Sequence, residues 1–289
     1  MRISVIIPTL NEEKYLPRIL DCLDKQTYKD FEIIVADAGS KDGTKQIAKE
    51  HGARVVKGGL PGPGRNKGAE AARGELLVFL DADVKIPKGF LKKVHDEMQE
   101  RYLDLATCEF RPLSNLKIDK VAHKIANMFI KLNQYSKPHA PGFCIFVTKR
   151  LFDRVGGFDE TVTLAEDHEF VSRASKVRPL RVLEKARVNV SIRRLTKEGR
   201  LKLAGKYIRA EMKILRYGKI TDHSIEYEFA NFGKDNHNKS LDKIERKLTR
   251  LGKQYRKLNR HSKKYKERLH KLKEELKKQT FILRKMLKS

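Results

Sequence analysis

Two carboxylates one residue apart, Asp81 and Asp83, follow directly on the uncharged run Leu76-Leu77-Val78-Phe79-Leu80. The run is short enough for a buried strand. In an open α/β sheet, ligands bind beyond the carboxyl ends of the strands, so such a strand would deliver two hard oxygen ligands to the rim. Oxygen ligands suit Mg²⁺ or Mn²⁺, and Mg²⁺ takes one or two protein carboxylates and completes its shell with water and phosphate oxygens. The pattern predicts a cation–diphosphate site on Asp83 and Asp81. Asp-x-Asp also occurs in ordinary turns, where Asp nucleates the bend. The weight therefore falls on the residues that accompany it.

Four other groups have types suited to that chemistry. Pro8-Thr9-Leu10-Asn11-Glu12 follows the apolar run Ile3–Ile7, so Pro8 is expected to end a strand and leave Thr9, Asn11 and Glu12 on the rim. Asp37 closes a second apolar run; its carboxylate could accept the N–H of a nucleotide base or simply hold the turn before Gly39. Arg65 follows a loop with glycines at 58, 59, 62 and 64, where backbone can approach phosphate closely and a helix N-terminus adds favourable dipole. Its guanidinium could pair with diphosphate oxygens. Glu166-Asp167 opens a helical stretch, where the dipole favours acids in any case. A carboxylate there could also take a proton from an attacking hydroxyl.

Positioning these groups at one rim requires alternating strands and helices. Strands are expected at Ile3–Ile7, Phe31–Val35, Arg54–Val56 and the run ending at Asp81. Between them, Asn11 is expected to cap a helix with Leu16, Ile19, Leu20 and Leu23 on its apolar face, and Asp42 or Thr44 begins the next. A third helix runs from about Arg65 to Ala72. This order predicts a parallel sheet with helices on both faces. Further on, Leu103–Phe110 and Phe143–Val147 read as strands, and helical spacing links Ile118, Val121, Ile125, Met128, Phe129 and Leu132. Arg181–Leu183 and Val188–Ser191 read as two short strands, followed by Arg193-Arg194. His139 and His168 lie near these motifs without a metal-ligand spacing.

The charge is uneven. The 289 residues carry a net charge of +27, and residues 239–289 hold 20 Lys and Arg against 5 Asp and Glu. Apolar residues recur there at three- and four-residue steps, from Leu241, Ile244 and Leu248 to Leu283 and Met286, broken at Ser262 and Gln279. That period predicts a basic, coiled-coil-like helical tail. Residues 1–220 then form the body, and 221–238 the linker. The seam needs a partner: a second copy in a homodimer, the body, or an anionic membrane surface. A nucleic-acid-binding role for the tail is the rival reading, but its tyrosines sit on the seam and leave no stacking platform. Cys22, Cys108 and Cys144 form no metal or disulfide pattern, which fits the reducing cytoplasm. With no signal-peptide pattern and no long apolar span, the expectation is a cytoplasmic protein, peripheral at the membrane inner face if at a membrane at all.

Taken in order, the motifs resemble family 2 glycosyltransferases, which have the GT-A nucleotide-sugar-binding fold. The resemblance spans about Ile3 to Arg194. It rests on Val5–Glu13, Ile33–Ser40 with Asp42-Gly43-Thr44, Gly64–Gly68, Asp81-Ala82-Asp83, Gly156–Asp159, and Glu166-Asp167 with Arg173. It implies a mixed sheet flanked by helices and an inverting transfer from a nucleotide-diphosphate sugar to a glycan or lipid-linked acceptor. It further implies that Pro8, Thr9, Asn11, Glu12, Asp37, Arg65 and Asp81 line the nucleotide-sugar site, that Asp83 and Asp81 hold Mg²⁺ or Mn²⁺, and that Asp167 is the base. Arg193-Arg194 matches a basic element found in parts of the family near donor phosphate or acceptor; a solvated pair is the plainer reading. A nucleotidyltransferase on a similar fold is the enzyme alternative, and the glycine-free turn Thr9-Leu10-Asn11-Glu12 argues against it.

Overall fold

The structure is a computed structural model that describes residues 1–200 together with 203, 205, 206, 209, 210, 213, 220, 221 and 274. Apart from Thr221 and Glu274, the linker at 221–238 and the helical tail at 239–289 lie outside the described residues. So does most of the amphipathic stretch from Leu201 to Leu215.

In chain order the elements are β1 (Ile3–Thr9), α1 (Leu16–Asp24), β2 (Phe31–Asp37), α2 (Thr44–Glu50), β3 (Arg54–Lys57), α3 (Gly62–Ala71), β4 (Leu76–Phe79) and α4 (Phe90–Glu100). They continue with β5 (Leu105–Pro112), α5 (Lys117–Asn133), β6 (Ile145–Thr148), α6 (Lys149–Val155), α7 (Glu166–Ser175), β7 (Arg181–Val190) and α8 (Arg193–Glu198). The strands form one sheet in the order β3-β2-β1-β4-β6-β5-β7. The first four are parallel; β6 runs antiparallel to both its neighbours, and β7 is parallel to β5. The sheet is therefore mixed, with the expected parallel half intact.

Both faces are covered, which is why the strands read as unbroken apolar runs. Ile3, Val5 and Ile7 of β1, with Leu76 and Val78 of β4, face α1 and α4. Ile6, Leu77 and Phe79 face the opposite layer, where Ala69, Phe152, Phe158 and Phe170 pack. The close fit of α3 against β1 depends on Gly68, because a Cβ there would collide with the Ile6 side chain. Cys108 and Cys144 are small core residues of this sheet, and burial pushes the Cys108 thiol well up, leaving it inert.

Three local expectations change. Pro8 does not end β1, which stays paired with β2 through Thr9; beyond Ile6, however, β1 is no longer paired with β4, and a one-sided strand accommodates proline. Asn11 does not cap α1. It takes a left-handed φ of 54° and ties two loops together, its backbone N–H donating to Ser40 Oγ and its Oδ1 accepting from the Lys41 N–H. The helix starts later, at Leu16 with Pro17 in its first turn, and buries Leu16, Ile19, Leu20 and Leu23 as patterned.

The third change is β7, one strand rather than two. Its register against β5 jumps between Cys108 and Glu109, so Glu184, Lys185 and Ala186 bulge out of the ladder. The charged pair broke the apolar pattern, and the bulge costs ladder bonds. Buried Glu97 of α4 replaces them, its carboxylate accepting the N–H groups of Glu184 at 2.9 and 3.1 Å and of Lys185 at 2.9 Å, while Arg101 pairs with it at 2.6 Å. Glu97→Ala leaves two backbone donors and an arginine without their acceptor. We expect a loss of about 3 kcal/mol in urea unfolding. A loss below about 1 kcal/mol would show that water takes over both donors.

Candidate active site

The carboxyl ends of β1, β2 and β4 converge, and the sequence-selected residues divide there into two sets. Around β2, Asp37 is buried and its carboxylate is filled locally. Oδ1 accepts the Gly39 and Ser40 N–H groups, and Oδ2 accepts the hydroxyls of Ser40 and Thr9. Asp42 holds the next turn through Thr44, whose hydroxyl accepts the Glu12 N–H at 2.8 Å. Thr9, Asn11 and Asp37 are thus the frame of a rim formed by two βα loops laced together.

The second set is ionic. Asp81 and Asp83 do not act as a pair: each goes to a different arginine. Asp83 meets Arg193 Nε at 2.7 Å, and the other two nitrogens of Arg193 grip both oxygens of Glu12 at 2.7 Å each. The same guanidinium lies 4.4 Å above the Tyr15 ring. Asp81 meets Arg65 at 3.2 Å, and Arg65 meets Glu166 at 2.6 Å. Burial pushes the Asp83 carboxyl above its ordinary value, and the neighbouring Asp81 charge adds to this against the pull of Arg193. Burial likewise raises Glu12, opposed by Arg193 and reinforced by Asp83 and Asp81. Three acids thus crowd one partly desolvated rim, and positive charge is what makes their ionisation tolerable.

Arg65 sits deeper than a phosphate-binding arginine need be. Its side chain is 4% exposed, and it lies 5.5 Å over the Phe158 ring. Gly142 presses so closely on the guanidinium that a Cβ at that position would overlap it. Nε is buried without a hydrogen-bond partner. Its position between Asp81 and Glu166 links the β4 rim to the start of α7.

At that start the backbone is strained: Ala165, just before Glu166, has a left-handed φ of 61°. The two acids that follow differ in kind. Glu166 is buried, and burial together with the adjacent Asp167 charge raises its carboxyl against the pull of Arg65. Asp167 is half-buried; Oδ2 accepts the Gly142 N–H at 2.6 Å and Oδ1 accepts the His168 N–H at 2.9 Å. Each of its oxygens keeps a lone pair.

Arg193 is the residue the sequence undervalued. An Arg-Arg pair after a strand reads as solvated, and only the fold brings it to Glu12, 181 residues away. The α8 turn is tied at its far end too, where Arg200 binds buried Asp119 of α5 at 2.7 Å. Elsewhere, Asp21, Asp24 and His51 offer ligand atoms within 4.8 Å of one another, but two of the three are exposed and His51 is already paired with Asp24.

The chain belongs to glycosyl transferase family 2, whose model matches residues 4–155. It is 28% identical over 187 residues to the uncharacterized glycosyltransferase EpsJ of Bacillus subtilis (strain 168), an overlap of 58% of this chain and 54% of that protein. The chain thus spans about half the length of that curated relative. Two solved structures share the fold. Staphylococcus aureus TarS 1-349 in complex with UDP-GlcNAc superposes with a TM-score of 0.55 at 22% identity, over 79% of this chain and 68% of that one. The mannosyltransferase PcManGT of Pyrobaculum calidifontis, in complex with GDP-Man and Mn²⁺, gives 0.57 at 20% identity, over 76% and 65%. Among the described residues, no helix is long and apolar enough to cross a membrane.

Proposed function

We propose that the protein is an inverting glycosyltransferase that moves a sugar from a nucleoside-diphosphate donor to a glycan or lipid-linked hydroxyl, with Mg²⁺ or Mn²⁺ at the β4 rim. The observation that carries this reading is the convergence of Glu12, Asp81 and Asp83 at the ends of adjoining parallel strands, with Asp167 beyond Arg65 at the start of α7. UDP-GlcNAc on TarS and GDP-Man with Mn²⁺ on PcManGT make UDP- and GDP-sugars the first donors to test.

The rim suits a hard cation: its donors are carboxylate oxygens, and in the structure they already draw in a guanidinium as counter-charge. Asp83 and Asp81, with Glu12 beside them, would hold the ion. When bound, the ion would stabilise the negative charge gathering on the departing diphosphate. The Pro8–Glu12 loop and the Asp37 turn form the nucleotide wall. Arg65 keeps Asp81 and Glu166 in place from below. Asp167 accepts the proton of the acceptor hydroxyl as that oxygen attacks the anomeric carbon. Glu166, already bound to Arg65, is left as its positioning partner.

Calorimetric titration of the purified protein with UDP-, GDP- and dTDP-sugars, with and without Mn²⁺, tests this reading. Metal-dependent binding of one donor series supports it; no binding of any overturns it.

Arg193 has a specific consequence here. Its guanidinium occupies Asp83 Oδ2 and both Glu12 oxygens, so Mn²⁺ that takes Asp83 Oδ2 must displace it. Arg193→Ala should therefore bind Mn²⁺ alone roughly tenfold more tightly than the wild type. The metal-free variant, with Glu12 and Asp83 left without their counter-charge, should melt lower, and Mn²⁺ should restore it. Unchanged or weaker Mn²⁺ affinity would mean that the cation binds away from this pair.

A further inference from the structure

We infer that the rings of Phe129, His139 and His168 form the acceptor subsite, a wall that takes the apolar C–H face of a pyranose ring in a glycan acceptor. The inference rests on the proposed transfer reaction and adds to it where the acceptor lies. Phe129 and His139 are 5.1 Å apart between ring centroids, and His139 and His168 are 5.2 Å apart, at interplanar angles of 48° and 47°. Each ring is thus tilted against the next rather than stacked flat on it. The inner end of the wall adjoins the base: His168 follows Asp167 in sequence and donates its backbone N–H to that carboxylate. His139 lies on the Pro138–Gly142 loop, and Gly142 closes on the other Asp167 oxygen. Both imidazoles are therefore held by segments that also fix the carboxylate.

The outer end is open. Phe129 is 44% exposed, between Met128 and Ile130, which are buried at 4% and 6%. Helix phase accounts for its outward turn, but not for an aromatic residue at that position. The other exposed aromatics among the described residues, Tyr102 and Tyr135, have no ring contact leading toward Asp167. A pyranose chair has an apolar face of axial C–H groups and a rim of hydroxyls. Stacked on Phe129 and His139, it would have one hydroxyl directed along the wall to Asp167.

The test uses the full chain with Mn²⁺ and whichever of UDP, GDP and dTDP binds, and two probes, methyl β-glucopyranoside and methyl N-acetyl-β-glucosaminide. Saturation-transfer NMR should show transfer from protein to pyranoside, strongest at the axial protons. Phe129→Ala and His139→Ala should each weaken it at least about fivefold, the scale of one aromatic contact. Phe129→Trp should retain it. Ribitol, an acyclic polyol without a chair face, should show none. Nucleotide affinity, measured on the same samples, should stay within about twofold in every variant. Undiminished transfer in Phe129→Ala and His139→Ala, equal transfer to ribitol, or no transfer in a wild type that binds nucleotide would each overturn the subsite. A wild type that binds none of UDP, GDP and dTDP would instead overturn the transferase reading on which the subsite rests.

Discussion

Asp83→Ala is expected to reduce metal-dependent donor affinity by at least about a hundredfold while leaving the fold as stable as before, or more so. The first half follows from the loss of one of the two proposed hard oxygen ligands after β4: the other, Asp81, is shared with Arg65, and Glu12 beside it does not make up the loss. The second half follows from the direction of the Asp83 shift. A carboxyl whose folded value lies above its unfolded one is destabilised as the anion, so its ionised form counts against folding at neutral pH. Removing it takes away that cost, and Arg193 keeps its two-pronged contact with Glu12. With Asp83 as a cation ligand the site would oppose stability to function, which a merely structural Asp-x-Asp turn would not do. Calorimetry with Mn²⁺ and nucleotide, paired with thermal melting, separates the two cases. Wild-type affinity in the variant would remove Asp83 from the metal site; lost affinity with a collapsed melting temperature would make it a fold residue.

The parallel half of the fold was legible because it is written in local chemistry. Apolar runs of strand length alternate with helical spacing, and each run ends at a Gly, Pro or Asp that physics places at a turn. Where sequence reading went astray, the deciding partner was distant. Asn11 looked like a helix cap because caps are local, and its actual partners, Ser40 and Lys41, lie across a loop from the next βα unit. β7 looked like two strands because Glu184 and Lys185 interrupt it, and the group that makes the interruption tolerable is Glu97, on another helix. The site shows the same division. That Asp81 and Asp83 follow a strand and Asp167 opens a helix was legible from residue type and position in an element. The assignment of each acid to a particular arginine was not, because Arg65 and Arg193 reach their partners over separations that no spacing rule encodes. The contact between the His139 and His168 rings is non-local in the same way: a ring contact between a loop and a helix leaves no periodic trace.

Asp167→Asn should lower turnover by about two orders of magnitude or more while leaving donor affinity within about twofold. The argument begins with the hydrogen bonds. Both oxygens of Asp167 accept backbone N–H groups, one from Gly142 and one from His168. An amide supplies only one acceptor oxygen, so its NH₂ must face one of these donors. The variant loses one backbone hydrogen bond as well as its basicity, and should melt a few degrees lower. Loosening the Gly142 loop alone is a positioning defect, and Gly142→Ala, which disturbs the loop without removing the carboxylate, should cost less turnover than loss of the base. Glu166→Gln is the control, because it weakens the ion pair to Arg65 without touching the Asp167 oxygens. It should reduce donor affinity and stability more than it reduces turnover at saturating donor. If Asp167→Asn turns over within about fivefold of the wild type while Glu166→Gln loses about two orders of magnitude in turnover, the proton goes to Glu166, and Arg65 is the group that tunes it.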